Sequence, residues 1–375
     1  MNSDQDQQPI VELIGTDEAP TPNTSGQQDL RHIVKRRPSR QIVSGSWAHR
    51  SARFGLPTAV AILAILAVYA LPIIEGRLLT RVIALAVVLW GLDLQLGLGG
   101  QLSLGHGAFV GVGAYTTAIT MGQQGWPFPA ALAAAALAGL VAGALVGLPS
   151  LRIQGQYLAM VTLGFAVAFP HIIQRFGWLT GGIDGPRIDY QFIPPSWLQL
   201  QARHYYRWSH AIICLLALLV FFFVRGVISG PLGRQIRAAA DNPASATAFG
   251  LRVGAIRVHT VALSGSVAAV GGALLVFETP IVTAASFDLL FSLTLYAVAI
   301  FGGIGTMGGG ILGALLLIGS PWLVSHFGLR MEPALIAGVL LVGFTLMAPQ
   351  GLVGVLMPRL SERYQVIDKD FTPTH

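Results

Sequence analysis

Six polar side chains stand beside glycines within otherwise apolar stretches: Gln101, Ser103, His106, Tyr157, Thr162 and Thr180. Glycine lets backbones approach closely, while hydroxyl, amide and imidazole groups supply donors and acceptors. Such a set can hydrogen-bond a zwitterionic solute, and a broken helix can present its N-terminus to a carboxylate. The alternative is that Ser103 and His106 hold a hinge by hydrogen bonds between helices. His106 has no second histidine or acid at ligand spacing, so no metal site is expected.

Other chemistry lacks its parts. The chain has no Gly-x-x-x-x-Gly-Lys-Ser/Thr phosphate loop, so it is not expected to hydrolyse ATP or bind a cofactor of its own. It has no His-Glu-x-x-His motif, and its single cysteine, Cys214, lies in an apolar run. GLGGQ joins two apolar runs rather than a strand and a helix, so it is no nucleotide fingerprint. The acids that could lie in a membrane are Asp93, Glu278 and Asp288, and all three fall near expected span ends. A carboxylate at the bilayer centre is costly unless paired, and no basic residue is expected at a matching depth to form a charge relay.

These residues must be positioned by membrane helices. Of 375 residues, 53% are hydrophobic and only 11% charged, and the mean hydropathy is +0.65. Soluble domains carry about 25% charged residues, so lipid must be the main solvent. The 45 glycines suit close helix packing in a bilayer. The expected fold is an all-α polytopic bundle of about eight to ten spans. They fall near 56–74, 78–98, 101–121, 127–149, 155–174, 209–225, 259–279, 286–302, 307–325 and 333–348, with broken or re-entrant segments around 93–107 and 300–312.

Residues 1–52 read as a hydrophilic, disordered leader, 53–358 as the membrane domain and 359–375 as a tail. The leader's basic cluster (Arg31, Lys35, Arg36, Arg37, Arg40, Arg50) fits either cytoplasmic retention or contact with anionic lipid. The net charge of +6 is explained by this cluster and one internal loop, with no nucleic-acid motif beside them. With the leader inside, alternation puts the loop 226–258 (Arg234, Arg237, Arg252, Arg257) and the tail inside as well. It leaves 175–208, with Arg175, Arg187, Arg203 and Arg207, outside against the charge rule; Asp184 and Asp189 soften that conflict.

Within the internal loop, Pro231 and Gly233 suggest a turn. Asp241 or Asn242 followed by Pro243 starts a short helix carrying Ala244, Ala246, Ala248 and Phe249, closed by Gly250. Such a helix suits docking into a groove on a cytoplasmic partner, or lying on the headgroups. Two glycine-rich hinges, 97–115 and 301–314, stand at comparable places in the two halves, as in folds built from repeats with a solute path between them.

The loop resembles the ATPase-coupling loop of branched-chain amino acid ABC permeases of the LivM type. Gly233-Arg234, Arg237-Ala238, Ala246, Ala248 and Gly250 match its pattern, whereas Pro243 and Thr247 stand where the family commonly has glutamates. GQLSLGHGAFVGVGAYTTA (100–118), IQGQYLAMVTLGFA (153–166), TGGIDGP (180–186), GGIGTMGGGILGALLL (302–317) and Pro349, Gly351, Leu352 and Gly354 extend the resemblance over about residues 80 to 356. The resemblance implies two ATPase subunits that use ATP, a sister permease and an extracytoplasmic solute-binding protein, in a bacterial inner membrane. It gives the coupling role to Gly233, Arg234, Arg237, Asp241, Asn242, Pro243, Ala246, Ala248 and Gly250. The hinge and path would comprise Gln101, Ser103, Gly105, His106, Gly107, Tyr157, Thr162, Thr180, Gly181, Gly182, Gly302 and Gly303. The expected function is a permease subunit importing branched-chain or other amino acids. The rivals are a urea or amide permease of the same family and, from a different class, an ion-coupled carrier.

Overall fold

The computed structural model describes residues 40–43, 56–151, 157–182, 185–186, 205–278, 282–326, 351 and 364–367. The rest of the leader, Arg152, most of the segment 175–208, the span expected at 333–348 and the terminal motif apart from Gly351 lie outside the described residues.

The chain forms a helical membrane bundle. Its helices are α1 (Leu56–Ala70), α2 (Ile73–Asp93), α3 (His106–Thr117), α4 (Phe128–Gly147), α5 (Tyr157–Arg175) and α6 (Tyr205–Ser229). They continue with α7 (Pro231–Asp241), α8 (Pro243–Ala248), α9 (Val253–Val276), α10 (Leu289–Gly302) and α11 (Met307–His326). Two four-residue strands, β1 (Arg40–Val43) and β2 (Tyr364–Ile367), pair in parallel and set part of the leader beside the tail. Among the described residues, Phe128–Leu151, Tyr157–Arg175, Tyr205–Ser229 and Val253–Val276 are long and apolar enough to cross a membrane, with shorter apolar helices at Leu289–Gly302 and Met307–Trp322.

Helix α9 is the central post, packed against α2, α3 and α4. Residues on every side of it are buried, including Val261, Ser264, Val267, Ala268, Gly271 and Leu274, as a helix enclosed by others requires. The crossing with α4 shows why glycine is abundant. Ala131, Ala135, Gly139, Gly143 and Gly147 recur every fourth residue and are all buried. A Cβ on Gly139 would lie 2.5 Å from the Gly265 carbonyl oxygen, and one on Gly143 would lie 2.6 Å from that of Val261. The two backbones therefore touch, a packing mode favoured where no hydrophobic effect drives helices together. Across the bundle, His210 on α6 bridges Thr80 on α2 (2.7 Å) and the Ala64 carbonyl on α1 (3.1 Å). Leu215, Leu219 and Phe223 form an exposed stripe on α6.

Both expected breaks are present. After α2 the chain winds into a π-turn, Leu94–Leu98, and residues 99–105 are non-helical. The Gln101 amide donates to the Gln95 carbonyl (2.9 Å), and the His106 ring meets the Val88 carbonyl (3.2 Å). The chain thus folds back along α2, so α3 begins well inside the bundle rather than at 101. A second break separates α10 from α11 at Gly303–Thr306, where Gly303 and Gly305 adopt φ of 111° and 82°.

Two expectations are corrected. The turn expected at Pro231 is an 11-residue helix, because Pro231 starts a helix well and Gly233, Ile236 and Ala239 give it one buried face. Glu278 also has a basic partner: Arg77 Nε donates to its carboxylate at 3.1 Å and Arg81 to its carbonyl at 3.2 Å. The first turns of α2 and the end of α9 lie at one end of the bundle, a depth match hidden by a separation of 201 positions.

Candidate functional site: a re-entrant hinge above a helical elbow

The first hinge is a packed assembly of side chains and bare backbone. Gly105 lies so close to the Thr162 carbonyl that a Cβ would collide with it. The Thr162 hydroxyl accepts from the Leu104 amide (3.0 Å) and donates to the Ala159 carbonyl (2.9 Å). The Gly107 amide donates to Ser292 Oγ on α10 at 3.0 Å. These bonds serve backbone groups that a non-helical segment inside a membrane would otherwise leave unpaired.

Other groups in the hinge are left over. Among the described residues, Gln95 Nε2, Gln101 Oε1, Ser103 Oγ and His106 Nδ1 are buried with no hydrogen-bond partner. Each orphaned buried group costs about 1–3 kcal/mol.

Gln101, Ser103, Gly105, His106, Gly107 and Thr162 come together here. Gly302 ends α10 and Gly303 opens the second break nearby: a Cβ on Gly97 would lie 2.6 Å from the Gly305 amide nitrogen. Tyr157 does not join them; it is 64% exposed at the start of α5. Thr180 is also apart, its hydroxyl bonded to the Ile173 carbonyl (2.7 Å), ahead of Gly181 and Gly182 at φ of 75° and 69°. Sequence reading missed Ser292 and Trp90, whose indole donates to the Met307 carbonyl at 2.8 Å. A lone serine or tryptophan in an apolar run carries no signal of such a partner.

Helices α7 and α8 form an elbow against the turn below the first hinge. Ile236 and Ala239 of α7 pack with Ile256, Leu251, Val253 and Leu98, the last residue of the π-turn. Gly233 is buried against the Val227 and Ile228 carbonyls, which lets α7 fold back tightly on α6. Arg237 donates to the Ile228 carbonyl at 2.7 Å, so one of its roles is to fasten that fold-back. Asn242 caps α8 by accepting from the Ser245 amide (3.0 Å), with Pro243 as its first residue. Gly250 closes it at φ 83°, with its amide on the Thr247 carbonyl and that of Leu251 on Ala246. Thr247 turns its hydroxyl inward to the Pro243 carbonyl (2.8 Å). Ala246 faces in, whereas Arg234, Asp241, Ala244 and Ala248 face out and Phe249 is 87% exposed.

The sequence profile of the family described as branched-chain amino acid transport system / permease component matches residues 75–347. The chain belongs to this family. It is 30% identical over 292 residues to the high-affinity branched-chain amino acid transport system permease protein LivM of Escherichia coli (strain K12), covering 72% of this chain and 68% of the relative. The LivM permease of Salmonella typhimurium matches with the same figures. The probable branched-chain amino acid transport permease protein LivM of Methanocaldococcus jannaschii is 26% identical over 237 residues, 60% of this chain and 67% of the relative. No solved structure matches the chain. As a LivM-type permease, the protein is a multi-pass transport component rather than a catalytic enzyme. In such a permease, the packed hinge and the exposed elbow are the two features that need a mechanical explanation.

Proposed function

We propose that this permease forms part of the membrane pathway of an ATP-driven importer for branched-chain or other amino acids, energised through its α7–α8 elbow. The observation that carries this reading is the elbow's two-sidedness: one face is packed on the hinge and the other, with Phe249 at its tip, is open. Two separate ATPase subunits grip the elbows of this permease and a sister permease. An extracytoplasmic binding protein delivers the solute, and the assembly sits in a bacterial inner membrane with the elbow and both termini in the cytoplasm.

Closure of the ATPase dimer on nucleotide displaces α7 and α8, and Leu98 carries that displacement into the π-turn and the re-entrant segment. The orphaned groups of Gln95, Gln101, Ser103 and His106 favour a second arrangement in which they meet solute or water. Transport is then a population shift between two states, driven by contacts that differ between them. The other residues assigned to the path, Tyr157, Thr180, Gly181 and Gly182, have their places in that second state or at the path's outer end.

Reconstitution into proteoliposomes with the co-encoded ATPases, sister permease and binding protein tests the reading. Leucine uptake is expected only with ATP inside the assembly's cytoplasmic side and only with the ATPases present. Uptake that persists without any ATPase overturns it, and retention of another solute by the binding protein would replace the amino acid.

A further inference from the structure

Asp93 is the last residue of α2, and the helical run continues past it through the π-turn Leu94–Leu98, so its carboxylate has no helix end of its own to cap. Its position is explained by a partner 212 positions away: Asp93 Oδ1 accepts from the Gly305 amide at 2.5 Å. Gly305 lies two residues before Met307, the first residue of α11. The carboxylate therefore sits at the N-terminal approach of that helix, where the dipole favours negative charge. Thr306 caps the same end by accepting from the Gly309 amide (3.1 Å). Trp90, one turn earlier on α2, grips the Met307 carbonyl. The last turn of α2 thus holds the first turn of α11 through two bonds.

The tie joins both helix breaks. A Cβ on Gly97, inside the π-turn, would collide with Asp93 Oδ1 and lie 2.6 Å from the Gly305 nitrogen, so the first hinge rests directly on the bond that anchors the second. Leu98, the next residue, is the one that packs against α7, and a Cβ on Gly100 would lie 3.7 Å from that of Ala240 on the same helix. A displaced α7 pushes on the π-turn through Leu98 and Gly100, and single π-turns within helices recur at functional sites. Movement of the turn cannot leave the Asp93–Gly305 bond untouched.

We propose that Asp93 is a positioning residue that latches the two hinges together until the elbow moves, and so ties nucleotide use to solute movement. This rests on the reading of the elbow given above. Its loss is expected to free the hinges without dissolving the bundle, because Trp90, Gly107 and Thr162 keep their own bonds.

The test compares the wild type, Asp93→Ala and Asp93→Asn in the complete reconstituted importer. A hydrogen bond to a charged group shifts a two-state balance by about tenfold or more. Asp93→Ala is therefore expected to raise solute-independent ATP hydrolysis by about tenfold and to lower solute carried per ATP by a similar factor. Asp93→Asn, which keeps an acceptor for the Gly305 amide, is expected to restore most of that ratio. Hydrogen exchange on the complete, nucleotide-free importer supplies a second readout, with faster exchange in peptides spanning 94–105 and 300–309 in Asp93→Ala alone. An unchanged ratio in Asp93→Ala overturns the latch. So does a fall in hydrolysis and transport in equal proportion, which would mark a structural residue only. A wild-type permease that never associates with the ATPases overturns the elbow reading itself, and the latch with it.

Discussion

Thr162 shows how a residue type can be read from sequence while its partner cannot. A hydroxyl beside glycines suggested a solute-binding group, but the oxygen is engaged by the Leu104 amide, 58 positions away. The glycine it packs against, Gly105, was legible as special; the reason, a backbone oxygen where its Cβ would be, was not. Thr162→Val is expected to cost about 1–3 kcal/mol by orphaning that amide, whereas Thr162→Ser keeps the bond. Thermal unfolding in detergent distinguishes the two. Gly105→Ala forces a carbon into an occupied place and is expected to cost about 1–3 kcal/mol or more, with uptake falling further than stability. At the other end, Asp288 caps α10 by accepting from the Phe291 amide (2.9 Å), which places it at a boundary as its sequence position suggested.

Elements were legible where hydropathy and length sufficed, and obscure where the chain turned back inside the membrane. The runs that became α4, α6 and α9 were found within several residues, because each is an uninterrupted apolar stretch. Helix α3 begins later than expected: Gly99, Gly100 and Gly105 allow a reversal that apolarity alone does not reveal. Helix α7 was missed because Pro231 and Gly233 suggest a turn when read locally. Only its packing on Leu98 and the Val227 and Ile228 carbonyls shows them to be a helix start and a close approach. In α8 the expected caps are present at Asn242 and Gly250. Asn242→Ala should destabilise that helix by about 1 kcal/mol, and Gly250→Ala by about 1–2 kcal/mol because its φ of 83° suits glycine. Both variants, with Phe249→Ala, are expected to insert normally yet recover less ATPase on co-purification. Full recovery with all three would leave the elbow without a partner role. Gly143→Leu, at the α4–α9 crossing, is expected instead to prevent stable insertion, visible as loss of folded protein on extraction.

Across the whole molecule, contacts sort into two ends. Arg77, Glu278, Asp288 and the backbone of Gly185 against Val282 share one. Asp93, Gly305, Leu98 and the elbow share the other, together with Leu151, which a Cβ on Gly254 would approach to 3.2 Å. This is the grouping that strict alternation of the spans demands, although only charge bias assigned a side to each end. The Arg77–Glu278 bond was invisible in sequence because depth depends on boundaries known only to several residues. Arg77 is half-exposed but Glu278 is buried, so Arg77→Met leaves a buried carboxylate without its nearest charge partner and is expected to cost about 1–3 kcal/mol. The buried polar groups of the first hinge were legible as polar residues, but not as ones without a partner among the described residues.

Site-directed cross-linking from position 249 addresses the elbow most directly. In a Cys214→Ala background, Phe249→Cys carrying a short thiol-reactive cross-linker should form an adduct with an ATPase subunit, and the yield should change between nucleotide-free and ATP-bound assemblies. A residue 249 that reacts only with reagents applied from outside the cell, or forms no adduct with an ATPase in either state, would contradict the elbow's role as the contact through which ATP drives this permease.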